Sequence, residues 1–291
     1  MKKFIIIHNL NSRGKNIKKN YIENLFLKHN LEFEIFQTKN VNELDEIIKK
    51  YADSEIYQYT SIGGDGSLNA LVNSLMLNKV QDPLVSCLPG GSGSDFIRTF
   101  ALPQNFNEAF KHLLSDSYYE VDVGMVQNEN LCKYFINVLN IGYLASTVEI
   151  SEKLPKFVRK YRYPLSFWLK IFPAKPQSTF INLDGYEFKN PAFNVCVCNA
   201  QYFGGGWNIS PKSSLQDGLF NIQIFAVTKL AAMKIFFLAK KGLHLREEKV
   251  ITKKSSSIKI LSRNQIEIDG DFFGYGPADI FIKKRAIRFK I

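Results

Sequence analysis

The run Ile56-Tyr57-Gln58-Tyr59-Thr60-Ser61-Ile62, followed by Gly63-Gly64-Asp65-Gly66-Ser67 and then by Leu68, Leu71, Val72, Leu75 and Met76, decides the fold. The first part is β-rich, and the last repeats apolar residues at the spacing of one helix face. The glycines therefore sit where a strand hands over to a helix. At such a junction glycine lets the backbone approach a ligand without a Cβ, and the N–H groups of the helix start attract an anion. A second turn, Pro89-Gly90-Gly91-Ser92-Gly93-Ser94-Asp95, repeats the design after the strand Leu84-Val85-Ser86-Cys87-Leu88. Each turn also carries an acid, which suits a ligand of the Mg²⁺ that neutralises phosphates, or a hydrogen-bond acceptor, better than a partner for bare phosphate. One such turn is as well explained by a loop that needs positive φ, with Ser67 as a helix cap; two of matching construction favour a nucleotide.

Working outward, strand-like and helix-like segments alternate from Phe4 to about residue 120. That succession predicts a three-layer α/β nucleotide-binding domain with a parallel sheet, whose ligands bind beyond the carboxyl ends of the strands. After Val121 the pattern becomes strand-rich, with β candidates at Tyr134 to Ile141, Thr179 to Phe188, Phe193 to Asn199, Phe220 to Val227, Ser257 to Leu261, Gln265 to Ile268 and Ile280 to Lys283. Leu183-Asp184-Gly185-Tyr186 reads as a hairpin turn, in which Asp184 needs no role beyond the turn. The expectation is an α/β domain over 1–120 and an antiparallel β-sandwich-like domain over 121–291, with the last few C-terminal residues returning to the first. Helices are expected within Ile150 to Phe172 and from Lys229 to about Leu243.

Composition narrows the function classes. The 291 residues are 45% hydrophobic and 22% charged, ordinary for a globular chain, and the net charge of +11 favours anionic partners. Met1-Lys2-Lys3 before only four apolar residues is no leader sequence, and no uncharged stretch approaches a membrane span, so a cytoplasmic protein is expected. Cys87, Cys132, Cys196 and Cys198 form no CxxC pair, and four scattered histidines give no metal or triad spacing.

With the motifs set side by side, the chain resembles the diacylglycerol kinase catalytic family, especially its soluble bacterial lipid kinases. The resemblance rests on Gly63-Gly64-Asp65-Gly66-Ser67-Leu68-Asn69-Ala70, on Gly91-Ser92-Gly93-Ser94-Asp95-Phe96-Ile97-Arg98, on Ser214-Leu215-Gln216-Asp217-Gly218-Leu219 and on Asp269-Gly270-Asp271, in family order over nearly the whole length. It implies ATP contacts at Asn9, Asn11, Ser12, Gly14, Thr38, Gly64, Asp65, Gly66, Ser67, Leu68, Asn69 and Ser92. It implies a network of acids around the catalytic Mg²⁺ at Asp65, Asp95 and Asp122, although Asp122, between Val121 and Val123, reads by alternation alone as solvent-facing. Asp217, with the backbone carbonyls of Ser214 and Leu219, matches a structural Mg²⁺ site. Asp271 falls where the family places its catalytic base, normally a Glu.

The departures are Ser67 and Ser92 for Thr, Ser94 for Asn, Ala70 for Glu and Asp271 for Glu. The last shortens the base by one methylene, where catalytic geometry is sensitive to about 1 Å. An ATP- and Mg²⁺-dependent lipid kinase acting on diacylglycerol or a related lipid alcohol is therefore expected. An NAD kinase is the alternative enzyme, and a catalytically degenerate nucleotide-binding protein at the membrane is the non-enzyme alternative. Lys153 to Lys175 interleaves cations with Phe157, Tyr161, Tyr163, Phe167, Trp168 and Phe172, which suits peripheral contact with an anionic membrane. A helix packing its aromatics inward reads equally well there. No nucleic-acid recognition motif accompanies these cations, so no nucleic acid is expected as a partner; a homodimer stays open.

Overall fold

The computed structural model describes residues 2–10, 17–90, 94–154 and 162–291, with backbone alone at 162–164. The chain divides into two units, Met1–Val123 with Lys284–Ile291, and Gly124–Lys283.

The first unit alternates strand and helix: β1 (Lys3–Asn9), α1 (Lys19–Lys28), β2 (Phe33–Thr38), α2 (Val41–Lys50), β3 (Tyr57–Gly63), α3 (Asp65–Leu77), β4 (Leu84–Pro89), α4 (Asp95–Thr99) and α5 (Phe106–Leu113). A tenth element, β5 (Tyr118–Gln127), leads into the second unit. The strands pair in parallel in the order β2-β1-β3-β4, with Asn9 opposite Thr38 and Gly63 opposite Pro89. Helix starts are specified locally. Asn40 caps α2 by accepting from the Glu43 amide, and the Glu43 carboxylate returns the favour to the Lys39 amide, a reciprocal capping box. Asn105 caps α5 by accepting from the Asn107 and Glu108 amides. One face of the sheet packs Phe4, Ile6, Ile62 and Leu88 against Ile22 and Phe26 of α1 and Phe110 and Leu113 of α5. Phe26 meets both Phe4 and Phe110 edge-on at 5.3 and 5.1 Å, contacts each worth about 1 kcal/mol beyond area burial.

The second unit is built from β6 (Cys132–Phe135), β7 (Val138–Gly142), α6 (Tyr143–Lys153), α7 (Arg162–Ile171), β8 (Gln177–Leu183), β9 (Tyr186–Ala192), β10 (Asn194–Cys198), β11 (Tyr202–Phe203), β12 (Trp207–Asn208), β13 (Phe220–Phe225), α8 (Lys229–Ala239), a 3-10 turn at Leu243–Arg246, β14 (Val250–Ser255), β15 (Ser257–Ile260), β16 (Gln265–Ile268) and β17 (Asp271–Tyr275). A last long strand, β18 (Ala278–Lys290), begins beside β15 in this unit and ends beside β4 in the first, where Arg288 and Phe289 lie opposite Leu84 and Val85. The antiparallel sheet β14-β13-β10-β7-β16-β17 faces a second layer built on β8, β9, β15 and the start of β18. Alternation along β10 shows how the layers form. Val195 and Val197 join the core between the sheets, whereas Cys196 and Cys198 point to the other side, under α7 and α8. The expected α/β domain and β-sandwich-like domain are thus both present.

Three local readings change. The expected strand Tyr134 to Ile141 breaks into β6 and β7, because Ile136 and Asn137 turn their amides to the Asp269 carboxylate. The expected hairpin forms between β8 and β9, but Asp184 does more than turn. It accepts from the hydroxyls of Ser255 and Ser257 and the Ser256 amide, and these bonds hold its carboxyl down at about 2. Asp122 is not solvent-facing: it is fully buried in β5.

Candidate active site

In the first unit the site grows from the carboxyl ends of β1 to β4. β1 ends at Asn9, β2 at Thr38, β3 at Gly63 and β4 at Pro89, so the parallel sheet delivers both glycine turns to one edge. Gly90 donates to the Gly63 carbonyl at 2.9 Å, joining the two turns at their roots. Leu10 donates to the Thr38 carbonyl at 3.1 Å, and Asn9 Nδ2 to Ser67 Oγ at 3.1 Å. Asn9, Thr38 and Ser67 are therefore gathered at this edge.

Gly64 is the N-cap of α3 and supplies no side-chain cap, so the helix start presents its backbone at this edge. A Cβ at Gly66 would meet open space, so among the described residues no protein group crowds that point of the turn. Leu68 differs from its neighbours: its side chain is in the core, and any ligand contact there belongs to its backbone. Asn69 is half-buried, with its amide oxygen accepting from Asn73 Nδ2 at 2.9 Å. Asn11, Ser12, Gly14 and Ser92 lie outside the described residues. Beside Pro89 and Gly90 a cavity of about 550 Å³ opens among Lys18, Tyr21, Asn105 and Phe106, room enough for a nucleoside-sized group.

Asp65 is the hub of the edge. Its Oδ2 accepts from the Asp95 amide at 2.8 Å and its Oδ1 from the Phe96 amide at 2.9 Å. The acid of the first turn thus caps the short helix that follows the second, satisfying two amides at once. Asp95 is buried, 3.6 Å from the Arg98 guanidinium. Asp122 accepts from the Arg285 amide at 2.7 Å.

Does this donor set fit Mg²⁺? Among the described residues no three His, Cys, Asp or Glu side chains converge as a ligand cluster. A carboxylate bound to amides nevertheless keeps acceptor sites. Mg²⁺ commonly holds several waters and is carried mainly by substrate phosphates, so Asp65, Asp95 and Asp122 fit an ion bound through nucleotide and water rather than a preformed protein cage.

The second unit presents the other acids. Asp269 and Gly270 link β16 to β17 with φ of 48° and 95°, the paired left-handed conformation of a tight hairpin. Asp269 accepts from the amides of Ile136, Asn137 and Val138 at 2.8 to 3.0 Å. Asp271 follows, exposed at the start of β17. Surrounding protein desolvates its carboxyl and raises the pKa against the pull of Lys133, with Glu152 adding a further upward push.

Beneath the turn lies Glu267, which motif reading missed. It is fully enclosed in β16, accepting from Asn140 Nδ2 at 2.7 Å and from the Gly270 amide. Burial pushes its carboxyl up to about 8, over the opposing hydrogen bonds, and the charges of Asp269 and Asp271 push the same way. Asn140 Oδ1 in turn accepts from Asn194 Nδ2 and the Cys196 thiol, so a polar chain runs across β16, β7 and β10. The sequence signal was faint: Asn140, Asn194 and Glu267 interrupt otherwise apolar strands.

Asp217 departs from a plain metal cradle. Its Oδ1 accepts from the Leu219 amide at 3.1 Å and its Oδ2 pairs with Lys254 Nζ at 2.9 Å, an ammonium already neutralising the carboxylate. Lys254 comes from β14, directly opposite Asn221. Ser214 is exposed nearby in the chain.

An α/β unit with paired acid-bearing glycine turns, joined to an antiparallel sandwich with its own acidic hairpin, defines a phosphotransferase of the lipid-kinase class. The family model described as the diacylglycerol kinase catalytic domain matches residues 3–126, and the one described as the YegS C-terminal NAD kinase beta sandwich-like domain matches residues 137–290. A diacylglycerol kinase of Staphylococcus haemolyticus (strain JCSC1435) is 30% identical over 232 residues, covering 77% of this chain and 68% of the relative. One of Staphylococcus aureus (strain bovine RF122 / ET3-1) is 29% identical over 232 residues, covering 77% and 71%. Two solved structures from Bacillus anthracis str. Sterne share the fold: one has a TM-score of 0.79 at 23% identity, covering 99% of this chain and 95% of that one. The other, described as a diacylglycerol kinase, has a TM-score of 0.72 at 20% identity, covering 99% and 96%. The chain belongs to the diacylglycerol kinase family, and it is a kinase. No helix among the described residues is long and apolar enough to cross a membrane.

Proposed function

We propose that this kinase transfers the γ-phosphoryl group of ATP, with Mg²⁺, to the hydroxyl of diacylglycerol or a closely related lipid alcohol at a membrane surface. The observation that carries this reading is the clamp made by Asp65, which binds the amides of Asp95 and Phe96 and so ties the two glycine turns into one anion-binding edge. Phosphoryl transfer asks little covalent chemistry of a protein and much alignment and charge neutralisation. When bound, Mg²⁺ would be held through water by Asp65, Asp95 and Asp122 and would offset the charge that develops on the phosphates.

The remaining work falls to the chain's own groups. Asn9, Thr38, Gly64, Gly66, Ser67 and the backbone of Leu68 and Asn69 hold the nucleotide, joined by Asn11, Ser12, Gly14 and Ser92. Asp65, Asp95 and Asp122 orient the ion's waters. Asp271 accepts the proton of the lipid hydroxyl as that oxygen attacks phosphorus. Its raised pKa supports this role, since a carboxylate closer in pKa to the working pH is a stronger base. Asp217, with Ser214 and Leu219, would offer a second cation position, for which Lys254 competes.

Transfer of label from γ-labelled ATP to a panel of lipid alcohols tests the assignment. Turnover on diacylglycerol, lost in Asp271→Asn, is expected; labelling of no lipid would sink it. The description of the C-terminal family model favours one second reading, phosphorylation of NAD. NAD in the same panel, left unlabelled, disposes of it.

A further inference from the structure

α7 and α8 carry an unusual surface for one exposed to water. On α7, Leu165, Trp168, Leu169 and Phe172 recur at i, i+3, i+4 and i+7, and they are 38, 47, 54 and 78% exposed. Their inward partners Phe167 and Ile171 are buried. The helix is therefore apolar on both sides, which no core requirement explains. α8 repeats the pattern, with Leu230 at 78% and Phe237 at 63% exposure on its outer side and Ile235 and Ala239 buried beneath.

The two outer faces join. Lys229 Nζ at the start of α8 donates to the Phe172 carbonyl at the end of α7 at 2.7 Å, which brings Phe172 and Leu230 to one junction. Phe167 and Phe236 meet in a tilted pair at 4.3 Å between centroids, linking Trp168 on one side to Phe237 on the other. The apolar cavity beneath, between helices and sheet, holds about 60 Å³, roughly two water volumes. It is too small for an acyl chain, so the apolar surface must find its partner outside the protein.

Charge identifies that partner. The segments 162–175 and 229–243 contain no acid, while Lys170, Lys175, Lys229, Lys234, Lys240 and Lys241 surround the apolar residues. One of these, Lys234, is paired, with Glu247 at 2.9 Å. Two copies of such a face would bring like charges together. An anionic bilayer complements both parts: headgroups for the ammoniums and the acyl boundary for the aromatic and aliphatic tips.

We propose that the outer face of α7 and α8 is a bilayer-docking surface, on which Leu165, Trp168, Leu169, Phe172, Leu230 and Phe237 enter the acyl boundary of an anionic membrane. The inference rests on the reading of a lipid substrate, and it narrows the expected membrane contact from the whole 153–175 segment, of which 155–161 fall outside the described residues, to one helix pair.

Trp168 and Trp207 are the two tryptophans of the chain, so Trp207→Phe makes Trp168 the sole reporter. With vesicles of phosphatidylcholine and phosphatidylglycerol carrying brominated acyl chains, Trp168 emission is expected to shift blue and be quenched, and to change little with phosphatidylcholine alone. The exposed triple variant Phe172→Ser, Leu230→Ser, Phe237→Ser should partition onto anionic vesicles at least about tenfold more weakly at unchanged melting temperature. It should keep its rate on a short-chain diacylglycerol in monomeric solution while losing it on vesicle-borne lipid. Unquenched Trp168, wild-type partitioning by the triple variant, or self-association that the triple variant abolishes would each overturn the proposal. Absence of turnover on both lipid presentations would fail the kinase reading alone, with vesicle binding still deciding the docking surface.

Discussion

Two acidic turns do opposite things with similar side chains. At the α/β edge Asp65 stands at the start of α3, and two backbone N–H groups hold its carboxylate on the following helix. In the sandwich, Glu267 sits enclosed under the Asp269-Gly270 turn, and burial favours its protonated form. Amides at a helix start hold charge in place; a dry strand pair expels it. Two carboxylates thus stand in contrasting surroundings, and Asp271, at the start of β17, is exposed while nearby protein desolvates its carboxyl and raises the pKa.

The largest effect should come from the proposed base. Asp271→Asn keeps size and shape but removes the base, so lipid phosphorylation should fall by about 10² to 10⁴-fold with little change in melting temperature. A variant at full rate would take Asp271 out of the comparison.

The next is a pH effect. Because the folded pKa of Glu267 is raised to about 8 from 4.5, its contribution to stability is fully present below about 4.5 and is lost as pH rises through about 8. The loss amounts to a few kcal/mol, since one pKa unit is about 1.4 kcal/mol. Denaturant titrations from pH 4.5 to 8 should show this decline in the wild type and a flatter profile in Glu267→Gln. An equal slope in both would mean that Glu267 is ionised throughout.

A smaller loss should follow Asp65→Asn, which keeps one acceptor and turns an N–H₂ toward the other amide. We expect about 2 kcal/mol of destabilisation, read by urea unfolding, together with weaker ATP binding in calorimetry. Unchanged ATP affinity would separate the clamp from the nucleotide.

The smallest effect concerns Asp217. In the wild type the Lys254 ammonium shields its carboxylate, so Mg²⁺ should move the melting temperature little. Lys254→Gln frees the carboxylate and should add a rise of about 0.5 to 1 °C at millimolar Mg²⁺, corresponding to a few tenths of a kcal/mol. Identical Mg²⁺ responses would show that the lysine does not compete for the site.

The same contrast governs how much the sequence discloses. The α/β edge was legible because its parts are local: a strand, a glycine turn and a helix start lie within about twenty residues, and Asp65 stands in the motif it serves. Even there the clamp was not, since the Asp95 and Phe96 amides meet Asp65 across 30 residues and no propensity encodes that. Asp122 misled because strand alternation marks two faces without saying whether both are covered, and here both are. In the sandwich the decisive contacts are longer in reach. Asp269 holds amides more than 130 residues away, and Glu267 meets Asn140 across 127. Asp184 passed as a mere turn residue because its three serine-segment partners lie more than 70 residues on.

β18 opens a different perspective. One uninterrupted strand starts beside β15 in the sandwich and finishes beside β4 in the α/β unit, and its last residues, Arg288 and Phe289, complete the parallel sheet. Residues 284–291 thus belong to the unit that begins at β1, so the parallel sheet is complete only when a strand far along the chain has joined it. A chain cut before this strand would carry every glycine turn and still leave the β4 edge uncovered.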